Sequence, residues 1–144
     1  KHTLIAGEGG VELEAAITPS DNGFAAVVCH PWGRLGGCMD DHVVMSLRDA
    51  LVQEGFTVCR FNFRGVGRST GGASFTASGE KSDVQTVCRF MTTGAPIGGV
   101  NVAAEAGKIV LVGYSYGSMV ACSCIDDTEG VVAACAVSYP FDYS

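Results

Sequence analysis

Histidine is missing from the whole chain beyond residue 42; of 144 residues only His2, His30 and His42 are histidine. None of the three clusters with another ligand type, and Cys122 and Cys124 stand too close for the C-x-x-C spacing of a zinc site. A resident metal is therefore not expected. No apolar run is long enough to cross a membrane as a helix, and no basic stretch leading into an apolar one opens the chain, so neither a span nor a signal peptide is expected. Charge blocks, internal repeats, interdomain linkers and the Walker lysine motif are absent. Basic residues are few, with 9 Lys+Arg against 15 Asp+Glu and a formal net charge of -6, which argues against nucleic acid or an anionic membrane surface as partner.

What is present is a globular composition, 47% hydrophobic and 17% charged, sufficient for one core and one domain over residues 1–144. The seven cysteines cannot all pair. Cys29, Cys59, Cys122, Cys124 and Cys135 lie in apolar runs, where cysteine behaves as a small hydrophobe, so a reducing, cytoplasmic setting is expected. A cysteine nucleophile is not expected.

Residues 4–5 and 11–17 flank Gly7-Glu8-Gly9-Gly10 and predict an opening hairpin. Residues 24–29 form a continuous apolar run, as in a strand buried on both faces of a parallel sheet. Val44, Leu47 and Leu51 share one helical face within 40–54, with Gly55 as stop, and 57–63 predicts the next strand. Val84, Val87, Cys88 and Met91 mark a second amphipathic helix. A long loop over 94–107, a strand over 108–112, a helix to about Asp127 and an apolar last strand over 131–138 complete the chain. Strands alternating with helices after a hairpin predict an α/β fold with a mostly parallel sheet. Three unusual loops, 30–37, 64–69 and 114–116, then fall on the carboxyl edge of that sheet, where such folds bind ligands.

The most informative of the three is Gly113-Tyr114-Ser115-Tyr116-Gly117. A G-x-S-x-G between strand and helix predicts a nucleophile elbow, with Ser115 on a strained turn and its hydroxyl clear of the backbone. The Tyr116 N–H, at the head of the helix, can face a developing oxyanion. The bland reading of Ser115 is an ordinary turn serine. His30 reads as a loop-organising residue bonded to backbone, or less readily as a base, and His42 as a solvated residue at a helix start. Arg64 and Arg68 flank two glycines as a phosphate loop would. The segment lacks the third glycine of a dinucleotide fingerprint, so Arg64 is expected to anchor its loop through backbone carbonyls. Trp32 is placed either to line an acyl pocket or to cap the sheet edge, and Asp142 either as a catalytic acid or as a surface turn carboxylate.

Taken together, His30-Pro31-Trp32-Gly33 with Gly36-Gly37, then Phe61-Asn62-Phe63-Arg64-Gly65-Val66-Gly67-Arg68-Ser69, then Gly113–Gly117 resemble the α/β-hydrolase superfamily, and within it the small lidless serine hydrolases. The resemblance implies Ser115 as nucleophile, the N–H groups of Trp32 and Tyr116 as oxyanion hole, no cofactor or metal, and an ester or thioester of a small acyl group as substrate. In that family the acid and histidine follow the serine, whereas all three histidines here precede Ser115. The chain thus resembles the N-terminal portion of a hydrolase domain, truncated after its sixth strand. A non-catalytic binding protein of the same fold is the alternative, and a nucleotide-binding α/β protein ranks below both.

The apolar 131–137 segment fits an interior strand whose outer neighbour would lie past residue 144. A polypeptide of residues 1–144 alone is therefore expected to be inactive toward esters and poorly soluble, unless a second copy or another chain covers that edge. Ester hydrolysis and sedimentation check this; a soluble monomer with a Ser115-dependent rate contradicts it.

Overall fold

The computed structural model describes residues 1–74, 76–93, 97, 102–104 and 107–140. The predicted hairpin forms from β1 (His2–Ala6) and β2 (Glu12–Thr18), antiparallel and joined by a 3-10 turn at Glu8–Gly10. There follow β3 (Ala25–Cys29), α1 (His42–Gln53), β4 (Thr57–Phe61), α2 (Ser78–Thr93), β5 (Ile109–Tyr114), α3 (Tyr116–Ser123) and β6 (Val131–Val137). Strand order is β1-β2-β4-β3-β5-β6, with β2 antiparallel to β4 and the last four strands parallel.

The local chemistry explains the boundaries. Asp41 caps α1, its carboxylate accepting from the N–H groups of Val43 at 2.9 Å and Val44 at 3.2 Å. The chain leaves that helix through Gly55 at φ 93°, a left-handed conformation that glycine takes without steric cost. β4 stops two residues earlier than the apolar run suggests; the Asn62 N–H still donates to the Glu14 carbonyl at 2.8 Å in register with β2, and the chain then turns from Arg64. α3 ends at Ser123 rather than near Asp127; the segment beyond it turns, and Asp127 pairs with Lys81 of α2 at 2.6 Å. Most of the 94–107 loop lies outside the described residues, and so does Asp142.

Every residue of β3 and β4 is buried, as a central parallel strand requires. On one face α2 and α3 cover a core that includes Leu13, Ile17, Val27, Phe61, Val87, Met91 and Leu111. On the other, α1 covers a smaller cluster of Ala26, Val28, Val44, Val58 and Val112. The helix after β3 and the helix after β5 thus leave the sheet on opposite faces. That divergence opens a crevice at the carboxyl ends of these two adjacent strands. Register lines the crevice up, since Cys29 at the end of β3 stands opposite both Phe61 and Gly113.

One expectation is corrected at the sheet edge. Among the described residues β6 pairs with β5 alone and forms that edge, with Val132 55% exposed. Cys135 is exposed along with it and Cys122 is half-buried, so only Cys29, Cys59 and Cys124 of the five act as buried hydrophobes. Burial raises the thiol pKa values of those three and lifts that of Cys88 to about 12, which leaves them protonated and inert.

Phe61 is fully buried where β4 meets the three carboxyl-edge loops. Phe61→Ala is expected to destabilise the fold by about 3–5 kcal/mol, read as a lowered urea midpoint. A loss below about 1 kcal/mol would show that this end of the sheet is loosely packed.

Candidate active site

Ser115 stands alone between β5 and α3, at φ 55° and ψ -118°. A serine in that region carries strain on the order of 1–3 kcal/mol, which only surrounding structure can hold in place. Three hydrogen bonds do so. The Ser115 N–H donates to the Val137 carbonyl of β6 at 2.9 Å, and the Ser115 carbonyl accepts from the Ser118 N–H at 2.9 Å and from the Ser118 hydroxyl. Ser118 is fully buried. Reading the sequence missed this serine, because an S-x-x-S spacing at a helix start looks like any N-terminal turn.

The two outer glycines serve close approach. A Cβ on Gly117 would lie 2.3 Å from the Cys29 carbonyl oxygen and 2.5 Å from that of His30. A Cβ on Gly113 would lie 2.4 Å from the Gly117 oxygen and from the Ser118 Cα. Neither position has room for any side chain, and the turn is pressed against the end of β3 in consequence.

The loop after β3 is closed by the Trp32 carbonyl, which accepts from the N–H groups of Leu35 and Gly37, both at 3.0 Å. The left-handed glycine is Gly36, at φ 86°; Gly33 and Gly37 do not have a positive φ. Gly37 is constrained by space instead, since its Cβ would fall 2.1 Å from the Pro31 oxygen, while that of Gly33 would meet only the Val66 side chain, at 2.7 Å. The Trp32 ring stacks on Tyr116 at 6.1 Å and 27°, which ties this loop to the residue after Ser115. Tyr116 in turn meets the edge of Phe63, and Phe63 packs edge-on against both His30 and Phe61.

His30 is fully buried and organises the loops. Its Nε2 accepts from the Phe63 N–H at 3.0 Å, so that nitrogen is unprotonated, and Nδ1–H donates to the Pro31 carbonyl at 2.6 Å. Both nitrogens are committed, and burial lowers the pKa to about 4. His42 is exposed at the head of α1. His2 lies on β1, four strand spacings from β5 and so roughly 19 Å across the sheet.

The loop after β4 rests on acids the sequence did not single out. Arg64 does not anchor through carbonyls as expected. Its guanidinium forms a fork on Asp83, with Nη2 to Oδ1 at 2.8 Å and Nε to Oδ1 at 3.0 Å, and its N–H donates to Oδ2 at 2.9 Å. That bonding raises the Arg64 pKa; burial pushes the Asp83 carboxyl up while the guanidinium pulls it back. Glu14 is placed by strand alternation to face solvent, yet its Oε1 accepts from Asn62 Nδ2 at 2.8 Å and from the Arg68 N–H at 2.9 Å. Glu80 is buried, receiving the Ser74 N–H at 2.9 Å and the Ser74 hydroxyl at 2.7 Å. No cluster of metal-ligating side chains occurs among the described residues.

Two hollows flank the Trp32–Tyr116 pair. One of about 160 Å³ reaches inward to His30 and Phe63, and one of about 310 Å³ opens toward the start of α2 and Met119. Ser115 itself lines neither; Tyr116, the next residue, lines both. A larger space of about 700 Å³ lies at the opposite, amino edge of the sheet, beside Gly107 and Gly130, far from this serine.

His30 gives the site a pH signature. Its folded pKa of about 4 lies below the ordinary 6.5, so between these values the unfolded chain takes up a proton that the folded chain refuses. The stability from neutral His30 is complete above pH 6.5 and declines as pH falls toward 4, by about 3 kcal/mol in all. Urea unfolding at pH 7 and pH 4.5 is expected to show a steeper acid loss in the wild type than in His30→Asn. Equal losses would mean that His30 is not held neutral.

The alpha/beta hydrolase fold family model matches residues 27–140. RP471, an uncharacterized protein of Rickettsia prowazekii (strain Madrid E), is 32% identical over 114 residues, 79% of this chain and 44% of that protein. Among solved structures, an alpha-beta serine hydrolase homologue from Coxiella burnetii is 29% identical with a TM-score of 0.83, over all of this chain and 65% of that one. XC6422 from Xanthomonas campestris, an a/b serine hydrolase without a lid, is 27% identical with a TM-score of 0.82, over all of this chain and 64% of that one. This chain thus spans less than half of the Rickettsia protein and just under two thirds of the two solved structures. With the sheet order, the loops gathered at its carboxyl edge and these matches in agreement, the chain belongs to the alpha/beta hydrolase fold family.

Proposed function

We propose that this chain carries the nucleophile and oxyanion hole of a serine hydrolase that cleaves an ester or thioester of a small acyl group. The observation that carries the reading is the backbone of Ser115, held at φ 55° by hydrogen bonds on both sides in a turn too close-packed for any side chain at Gly113 or Gly117. Backbone strain at non-glycine residues clusters at active sites, which supports a chemical role for this serine. On this reading the turn is a nucleophile elbow. Ser115 Oγ attacks the acyl carbon, and the oxyanion that forms is stabilised by the N–H of Tyr116 at the head of α3 together with that of Trp32. The alcohol or thiol leaves with a proton, and water releases the acyl group from the serine.

The proton of Ser115 needs an acceptor, and His30 does not serve. Its lone pair is engaged by Phe63, and its low pKa makes it a poor base at neutral pH. The reading therefore assigns the base to a histidine outside these 144 residues, oriented by an acid that is also outside them or is Asp142. No cofactor or metal has a part in it.

A fluorophosphonate probe applied to the full-length protein is expected to label Ser115, with labelling abolished in Ser115→Ala. Turnover of an activated ester should fall on the order of 10⁴- to 10⁶-fold in that variant. A label on another serine, or an unchanged rate in Ser115→Ala, would contradict the reading.

A further inference from the structure

The Pro31 carbonyl and the Trp32 N–H belong to one peptide group. That group is planar and trans, so its oxygen and its N–H point to opposite sides, and whatever turns the carbonyl turns the N–H with it. The Pro31 oxygen is firmly held. The His30 Nδ1–H donates to it at 2.6 Å, and Gly37 closes on it, since a Cβ there would lie 2.1 Å from this oxygen and 2.5 Å from its carbon. The following peptide is fixed separately, because the Trp32 carbonyl accepts from the N–H groups of Leu35 and Gly37. The peptide planes on both sides of the Trp32 Cα are thus set by hydrogen bonds.

His30 donates from Nδ1 in one neutral tautomer, and Phe63 selects it. The Phe63 N–H donates to Nε2 at 3.0 Å, which puts the single ring proton on Nδ1. The ring is fully buried and packed edge-on against Phe63 at 4.9 Å, so it has no room to swing to another partner. The outcome is a continuous series of dipoles, from the Phe63 N–H through the imidazole to the Pro31 carbonyl and across the shared peptide to the Trp32 N–H. Hydrogen bonds in series polarise one another, so an N–H whose own carbonyl is bonded becomes a stronger donor. We infer that His30 is a positioning residue of the oxyanion hole, whose Nδ1–H orients and polarises the Pro31–Trp32 peptide so that the Trp32 N–H meets the oxyanion formed at Ser115; the inference rests on the hydrolase reading of Ser115. In this role His30 takes no proton from the serine and touches no substrate. Its effect falls on the transition state, where the charge on oxygen develops, rather than on substrate binding.

Two amide variants of the full-length protein separate the two ring bonds. The short side chain in His30→Asn takes the place of Nδ1 and donates to the Pro31 carbonyl, leaving the Phe63 N–H unpaired. The longer one in His30→Gln takes the place of Nε2 and accepts from Phe63, leaving the Pro31 carbonyl unpaired. Both are expected to fold with lowered stability, since each loses one buried hydrogen bond. Hydrolysis of an activated ester should tell them apart. His30→Gln should lose on the order of 10- to 100-fold in kcat with KM unchanged, less than deletion of an oxyanion donor costs, while His30→Asn should stay within about threefold of wild type. The ³¹P resonance of phosphonylated Ser115 gives a second readout, expected to move toward that of the urea-unfolded adduct in His30→Gln and to stay near wild type in His30→Asn. Equal kcat losses in the two variants, a wild-type kcat and ³¹P shift in His30→Gln, or a His30→Gln chain that does not fold would overturn the inference and leave His30 a structural residue. A wild-type Ser115 that resists the phosphonate would overturn the hydrolase reading, and the inference with it.

Discussion

The contact on which the site depends is backbone against backbone: the turn between β5 and α3 lies against the last carbonyls of β3 with no side chain between them. The space a Cβ would need at Gly117 is taken by the Cys29 and His30 oxygens, and at Gly113 by the start of α3 itself. Because interiors are close-packed, such an approach leaves the chain between the two glycines little freedom. Ser115 is that chain. Its left-handed backbone, its bond to Val137 and its bonds from Ser118 are consequences of forcing a strand to become a helix within one residue.

The same contact brings the loop after β3 to the serine, and a second set of interactions fixes the loop's shape. His30 joins the β3 and β4 loops by accepting from Phe63, and it does so as a neutral ring in a buried place. The Arg64–Asp83 fork ties the β4 loop to α2, and Glu14 ties it to the hairpin through Asn62 and Arg68. Removing Arg64 would leave the buried Asp83 carboxylate without its charged partner. Charged groups at this edge thus hold loops in position, while the aromatic series Phe61, Phe63, Tyr116 and Trp32 carries packing from the core to the site.

Much of this was legible in the residues. Apolar runs gave the strands, the spacing of Val84, Val87, Cys88 and Met91 gave α2, and glycine-bounded loops followed three of the strands at the carboxyl edge of the sheet. These signals are local and periodic, which is why they survive without a structure. The partners of the loops were not legible. Glu14 sits at a strand position that alternation assigns to solvent, and Asp83 sits in a helix whose apolar face draws attention away from it; both are chosen by contacts more than 15 residues distant in sequence. Only geometry distinguishes Gly36, which needs a positive φ, from Gly37, which needs the empty space.

The central claim is that a backbone contact aims Ser115 at two N–H groups. A crystal structure of the full-length protein reacted with a small alkyl phosphonate tests it most directly. The account predicts phosphorus bonded to Ser115 Oγ, with a phosphonyl oxygen about 2.7–3.1 Å from the backbone nitrogens of both Tyr116 and Trp32. An adduct on Ser115 whose oxygens all face solvent, or a Ser115 left unmodified while another residue reacts, would contradict it.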